Sequence, residues 1–160
     1  MKTHLIVPAL LISILMFCLP GSGDTMPGMK VLPGFHVKQG RAIDAVLWTI
    51  EKPGGPIIEF ESGPSAGRIE SAEPIYSWYK EQTVNGYKVQ LAFIKPGLQT
   101  RFEPANRRGM KPGSILIVAF HLNPEHPDDT AVFTSKIASL EELTDVLLMV
   151  LTFDPSKGTY

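Results

Sequence analysis

One short stretch of the sequence has the spacing of a catalytic serine motif. Residues 63–67 read Gly-Pro-Ser-Ala-Gly, the G-x-S-x-G pattern in which many hydrolases hold a nucleophilic serine, here Ser65. In those enzymes a strand precedes the serine and a helix follows it, and the helix amides help to form the oxyanion hole. The chain reaches Pro74 too soon for a useful helix, and no aspartate lies between Ser65 and the later histidines, His121 and His126. We therefore interpret this stretch as a turn at a strand end, with Ser65 as an alternative catalytic residue.

A second group of chemically capable side chains lies in the stretch 121–129, His-Leu-Asn-Pro-Glu-His-Pro-Asp-Asp. Imidazole and carboxylate groups are ligands for zinc, nickel or copper, and the candidates are His121, Glu125, His126 and Asp128. Pro124 and Pro127 exclude the helix on which a zinc motif aligns two histidines, and the calcium-loop pattern is absent. The pattern favours a polar turn, so we expect no cofactor. A metal-assisted enzyme or small hydrolase that uses this stretch is the alternative.

A third candidate is the connection 96–113, which separates two predicted strands and shows little periodicity. It carries four cationic side chains: Arg101, Arg107, Arg108 and Lys111. Connections of this length inside a compact domain are usually functional or disordered, and arginine binds carboxylate or phosphate through two parallel hydrogen bonds. Charged loops are commonly solvated and without a ligand, which is the first interpretation of this stretch; these four residues are the candidates for binding a small anionic ligand or a partner protein.

The N-terminus predicts secretion. Lys2 gives a basic start, 5–19 is an apolar run, and small residues follow it. Because this run is shorter than the roughly 20 residues that cross a bilayer, we expect residues 1–23 to be removed as a signal peptide, leaving no membrane span. Lipid attachment at Cys18 is the weaker alternative, since Phe17 stands where lipoprotein processing requires a small residue.

The composition narrows the class of protein further. The formal net charge is −1, which favours neither nucleic acid nor an anionic membrane as a partner. The one cysteine lies in the predicted leader, so the mature chain has no disulfide and no thiol nucleophile. Stability from packing alone suits a bacterial periplasm or cell surface. We expect an irregular lead-in over 24–40 and a single domain over 41–160.

Alternating apolar and polar residues, together with an almost continuous apolar run over 114–122 that indicates a strand covered on both faces, predict about six mostly antiparallel strands. Their ranges are 42–51, 56–61, 75–83, 87–94, 114–122 and 130–137. Asn85-Gly86 is the strongest hairpin signal, because both central residues of a type I′ turn need positive φ. Ser139 and Glu142 form a capping box for an amphipathic helix over 140–150. These elements predict an α+β fold with the helix on one face of the sheet, and a β-sandwich with one helix is the alternative.

The first third of the mature chain resembles a group of uncharacterised small secreted bacterial proteins. The resemblance is carried by the order of Leu32-Pro33-Gly34-Phe35, then 40–44 (Gly-Arg-Ala-Ile-Asp), then 61–67 (Glu-Ser-Gly-Pro-Ser-Ala-Gly). Arg41-Ala42 separates the glycine from the isoleucine, and Glu61 stands where the pattern has aspartate. The resemblance implies a similar secreted α+β domain and places Ser65 inside a variable turn.

Together these features favour binding over catalysis. We expect a secreted, non-enzymatic domain that binds an acidic ligand or a protein partner.

Overall fold

The computed structural model describes residues 25–40, 43–63, 66–67, 69, 74–98 and 113–158. This part of the chain contains seven β-strands, one α-helix and a short 3-10 turn. The strands are β1 (His36–Gln39), β2 (Val46–Glu51), β3 (Ile57–Gly63), β4 (Tyr76–Val84), β5 (Tyr87–Ile94), β6 (Ser114–Asn123) and β7 (His126–Ile137), and the helix is α1 (Leu140–Val150). The α+β class with a single helix is confirmed, and the number of strands is seven rather than about six.

The seven strands form one antiparallel sheet in the order β1-β2-β3-β7-β6-β5-β4. A three-stranded meander, β1 to β3, and a four-stranded meander, β4 to β7, meet where β3 pairs with β7. The connection from β3 to β4 therefore runs from the middle of the sheet to its far edge. The described strands belong to one sheet, so they do not form the two packed sheets of the alternative sandwich.

The inner face of the sheet, which α1 and the segment 25–35 cover, carries the main hydrophobic core. At its centre four phenylalanine rings pack with centroids 4.9 to 5.9 Å apart, mostly edge to face. Phe60, Phe120 and Phe133 come from three neighbouring strands, and Phe153 follows the helix. All four rings are fully buried, so they join both meanders to the C-terminal segment.

The outer face is covered in part by the connection between β3 and β4. Ala66 and Ile69 are buried there against small outer-face residues of three strands: Ala92, Ala119 and Val132. The hydroxyl of Thr130 donates to the carbonyl of Gly67 at 3.2 Å. Ala66, Gly67 and Ile69 thus lie on the side of the sheet away from α1.

The capping box begins α1 as the sequence predicts. The Ser139 hydroxyl accepts from the Glu142 amide at 3.1 Å, and the Glu142 carboxylate accepts from the Ala138 amide at 2.7 Å. The buried side chains of the helix are Val146, Met149 and Val150, while Leu140 and Leu148 are exposed. The helix therefore packs one apolar stripe on the inner face.

The segment before β1 packs against the C-terminal segment. Its buried side chains are Met26, Met29 and Phe35. The Asp154 amide donates to the Gly28 carbonyl at 2.8 Å, and the Lys30 amide donates to the Thr152 hydroxyl at 3.0 Å. These two hydrogen bonds hold the N-terminal and C-terminal segments side by side over the core.

Three strand boundaries differ from the predicted ones. The short, polar β1 lies within the predicted lead-in, because its pairing with β2 and not its own pattern makes it a strand. β2 begins at Val46 rather than 42, and the residues before it form a bend in which Ile43 is fully exposed. β7 begins at His126 rather than 130; among the described strands its first residues lie beside β6 and beyond the end of β3, a position in which Pro127 interrupts no ladder with β3.

The Asn-Gly hairpin is confirmed. Asn85 and Gly86 connect β4 and β5 with φ values of 52° and 87°. The Asn85 amide also donates to the Phe153 carbonyl at 2.8 Å. The side chain therefore ties this turn to the C-terminal segment.

We expect Asn85→Gly to lower the free energy of unfolding by about 1 kcal/mol, because it loses this hydrogen bond and keeps the positive φ. Asn85→Ala loses the same hydrogen bond and, unlike glycine, keeps a Cβ in the left-handed region, so it should cost about 1–2 kcal/mol more than Asn85→Gly. Urea unfolding of both variants beside wild type measures the two contributions. Equal losses in the two variants would contradict the role of the positive φ.

Candidate binding site

Several residues singled out in the sequence lie outside the described residues. They are the candidate nucleophile Ser65 and the cationic group Arg101, Arg107, Arg108 and Lys111. The predicted leader, including Cys18, also lies outside the described residues.

The described neighbours of Ser65 form a turn. Gly63, the last residue of β3, has a φ of 138°, and a Cβ at this position would lie 2.7 Å from the Asp44 carbonyl oxygen. The Ala66 amide donates to the Gly63 carbonyl at 3.0 Å. Gly63 is therefore required both for its positive φ and for its close approach to the Asp44 carbonyl. The next element of the described chain is the strand β4.

The stretch 121–129 forms the β6–β7 hairpin. The Asn123 side-chain oxygen accepts from the Glu125 amide at 2.9 Å, which closes a tight turn, and Glu125, His126 and Asp128 are exposed. Among the described residues, no three His, Cys, Asp or Glu side chains lie close enough to hold a metal ion. The four candidate ligands of this stretch are thus not brought together as a site.

His121 belongs to a polar network on the outer face. Its Nε2 lies 2.9 Å from the Gln90 Oε1, and the Gln90 Nε2 donates to the Tyr79 hydroxyl at 2.8 Å and to the Glu81 Oε1 at 3.0 Å. Because the Gln90 nitrogen faces two acceptors, its oxygen must face a donor, which assigns the proton of His121 to Nε2. Gln90 is 5% exposed, so the network satisfies a buried amide.

The network fixes the charges of its members. Tyr79, Gln90 and Lys88 donate to the Glu81 carboxylate and lower the pKa of Glu81 to about 2. Burial lowers the pKa of His121, the Lys88 ammonium lowers it further, and the Glu81 carboxylate opposes both effects. His121 is therefore neutral near pH 7 and serves as a hydrogen-bond donor to Gln90.

We expect His121 to make the fold less stable in mild acid. Because its folded-state pKa lies below the unfolded value of about 6.5, the unfolded chain takes up the proton first as the pH falls. The free energy of unfolding should drop between about pH 7.5 and about pH 5.5, and His121→Gln should drop less over this interval. Urea unfolding at the two pH values tests this. An equal or larger drop in the variant would contradict it.

A cleft of about 540 Å³ lies at one end of the sheet, beside the first turn of α1. It is lined by residues 51–57 of the β2–β3 hairpin, by His36 and Lys136 of the flanking strands, and by Ala138 and Glu142 at the helix start. We call it the turn cleft. Its volume falls in the range of about 300–1,000 Å³ that is typical of small-ligand sites.

Strand register orders the floor of the turn cleft. His36 pairs with Glu51, and Glu51 pairs with Ile57. Ile58 pairs with Ser135, so the antiparallel register sets Ile57 beside Lys136. These four residues form a row across four strands on the outer face, since their neighbours along each strand, such as Ile50 and Ile58, face the core.

Lys52 closes one side of the turn cleft. Its ammonium forms an ion pair with Asp145 of α1 and lies 4.9 Å from the centre of the Phe35 ring. The hydrogen bond to Asp145 raises the pKa of Lys52, burial opposes the rise, and the nearby acidic charges of the helix add to it. Lys52 thus links the β2–β3 turn, the N-terminal segment and the helix.

The acidic side chains of the turn cleft are also engaged. The Glu51 carboxylate forms an ion pair with Lys38, and the Glu142 carboxylate accepts the Ala138 amide. These contacts hold the side chains of Glu51 and Glu142 in place. They leave the second oxygen of a carboxylate available as an acceptor, because each carboxylate accepts several hydrogen bonds.

A second groove, of about 310 Å³, lies on the outer face over β2, β3 and β7. Glu59 and Glu61 line it together with apolar side chains such as Leu47 and Val132. Burial raises the pKa of Glu61, and the carboxylates of Asp44 and Glu59 raise it further.

The sequence gives little signal for the turn cleft. The pattern Lys52-Pro53-Gly54-Gly55 predicts only a turn that ends a strand. Lys136 lies in another predicted strand, far along the chain. The sequence has lysine-proline-glycine triplets at 52–54, 95–97 and 111–113, and their uneven spacing indicates turns rather than a shared site. Only the pairing of β3 with β7 brings these residues together.

No protein-family model, curated protein or solved structure matches this chain significantly. Within the described residues, no helix has the length and apolar character needed to span a membrane.

Proposed function

We propose that this chain is a secreted, non-enzymatic domain that binds an acidic ligand or a protein partner in the turn cleft. The observation that carries this proposal is the cleft itself, which combines apolar side chains such as Ile57 and Pro56 with lysine and glutamate side chains. Concave sites of this size with a few placed polar groups are the usual form of small-ligand sites.

The charged groups of the cleft support an acidic ligand. Lys136 lies on the floor and Lys52 lies on the wall, while both lining glutamates already accept from groups of the chain, Lys38 and the Ala138 amide. A ligand carboxylate in the cleft could therefore pair with the Lys136 ammonium, beside carboxylates whose charge is partly compensated.

Secretion is part of the proposal. A basic start, an apolar run of signal-peptide length and small residues after it support export, and a chain without cysteine beyond the leader needs no disulfide. A periplasmic or extracellular location would expose the turn cleft to ligands outside the cytoplasm.

The cationic stretch that contains Arg107 and Arg108 is a second place at which the same acidic ligand could bind. Its arginines favour carboxylate and phosphate. Substitutions that change one of the two locations and leave the other intact show which of them binds the ligand.

We expect mono- and dicarboxylates from a panel of small acids and short peptides to bind wild-type protein that is expressed with its own leader, measured by calorimetry. Lys136→Gln should weaken binding about tenfold, the loss of one charge-assisted hydrogen bond. Lys80→Gln, an exposed lysine of β4 at the far edge of the sheet, is the matched control and should bind as wild type does.

Replacement of Arg107 and Arg108 by alanine should leave the affinity unchanged. If this double variant abolishes binding and Lys136→Gln does not, the turn cleft is not the site. If no acid of the panel binds wild-type protein, the proposed function itself fails.

A further inference from the structure

The turn cleft carries side chains of opposite charge at backbone positions that the strand register sets. Glu51 and Lys136 lie on the same outer-face row, with Ile57 between them. Neighbouring strands are about 4.8 Å apart, so the two positions are separated by roughly 10 Å. The row therefore offers a carboxylate, an apolar side chain and an ammonium in that order.

The lining of the cleft is balanced in charge. It contains two glutamates, Glu51 and Glu142, and two lysines, Lys52 and Lys136. A ligand with only negative charge meets attraction at one end of the row and repulsion at the other. A ligand with one charge of each sign, held at the separation of the row, meets attraction at both ends.

The present partner of Glu51 is replaceable. Its ion pair with Lys38 is at the surface, since the lysine side chain is 67% exposed and the glutamate side chain 32% exposed. Exposed pairs of this kind contribute little to stability, so a ligand ammonium can share or take over the carboxylate at small cost.

An extended peptide has the required dimensions. Each residue of an extended chain spans at most about 3.3–3.6 Å, so about three residues bridge roughly 10 Å between the terminal ammonium and the terminal carboxylate. The middle side chain of such a peptide would lie over Ile57, and Pro53 and Pro56 provide further apolar contact.

We infer that the turn cleft binds a short zwitterionic peptide of about three residues, with its ammonium at Glu51 and its carboxylate at Lys136. This inference rests on the proposed function and deepens it, because the peptide carboxylate is the acidic group and the ammonium is a second, independent point of recognition. The two ends of the peptide contact residues of different strands, so each contact can be tested alone.

The test uses the tripeptide Ala-Leu-Ala in free, N-acetylated and C-amidated forms, titrated calorimetrically into the secreted protein. The free peptide should bind, and each cap should weaken binding about tenfold, since each removes one charge-assisted contact. Glu51→Gln should bind the free and N-acetylated forms equally. Lys136→Gln should bind the free and C-amidated forms equally, and Lys80→Gln should behave as wild type does.

Circular dichroism melting of the three variants shows whether each is folded under the titration conditions. Equal affinity of wild type for free and capped peptides would overturn the inference. If the tripeptide does not bind while another carboxylate does, and Lys136→Gln weakens that carboxylate, the inference fails and the proposed function stands. If nothing binds in the cleft, both fail.

Discussion

The pairing of β3 with β7 is the constraint on which the rest of the structure depends. It joins two meanders that are each continuous in sequence, over six paired positions from Ile58 with Ser135 to Gly63 with Thr130. Two side-chain hydroxyls reinforce it, because Ser135 donates to the Ile57 carbonyl at 2.8 Å and Ser62 donates to the Thr130 carbonyl at 3.3 Å. A slip of either strand by one residue would turn its phenylalanine, Phe60 or Phe133, out of the core, so packing holds the register.

The same register creates the turn cleft. The β3–β7 ladder places Lys136 beside Ile57, and the chain leaves β7 directly into the capped start of α1. Lys52 then joins the β2–β3 turn to Asp145 of the helix and to Phe35 of the N-terminal segment. The wall of the cleft is thus held by parts of the chain that come together only in the complete fold.

Local sequence signals predict the parts of this structure that are decided locally. The Asn85-Gly86 hairpin follows from the need for positive φ, and the start of α1 follows from Ser139 and Glu142. The apolar run of β6 is buried on both faces, as its composition indicates. These features depend on a few adjacent residues, so they can be predicted from a single sequence.

Features that depend on distant pairing could not be predicted in the same way. β1 is a polar tetrapeptide that becomes a strand only beside β2, and Pro127 is tolerated in β7 because, among the described strands, it lies beyond the end of β3 and interrupts no ladder with it. The sequence makes His121 a candidate metal ligand, but in the fold its ring is a hydrogen-bond partner of Gln90. The turn cleft brings together residues of several separate elements, so no local sequence pattern predicts it.

The most direct measurement of the binding site is a two-dimensional NMR titration of the isotopically labelled, secreted protein with Ala-Leu-Ala. The account predicts that the shifted backbone amides cluster at 51–57 and 136–142, with His36 among them. Shifts confined to 99–112 or 121–128, with the amides of the turn cleft unchanged, would contradict it.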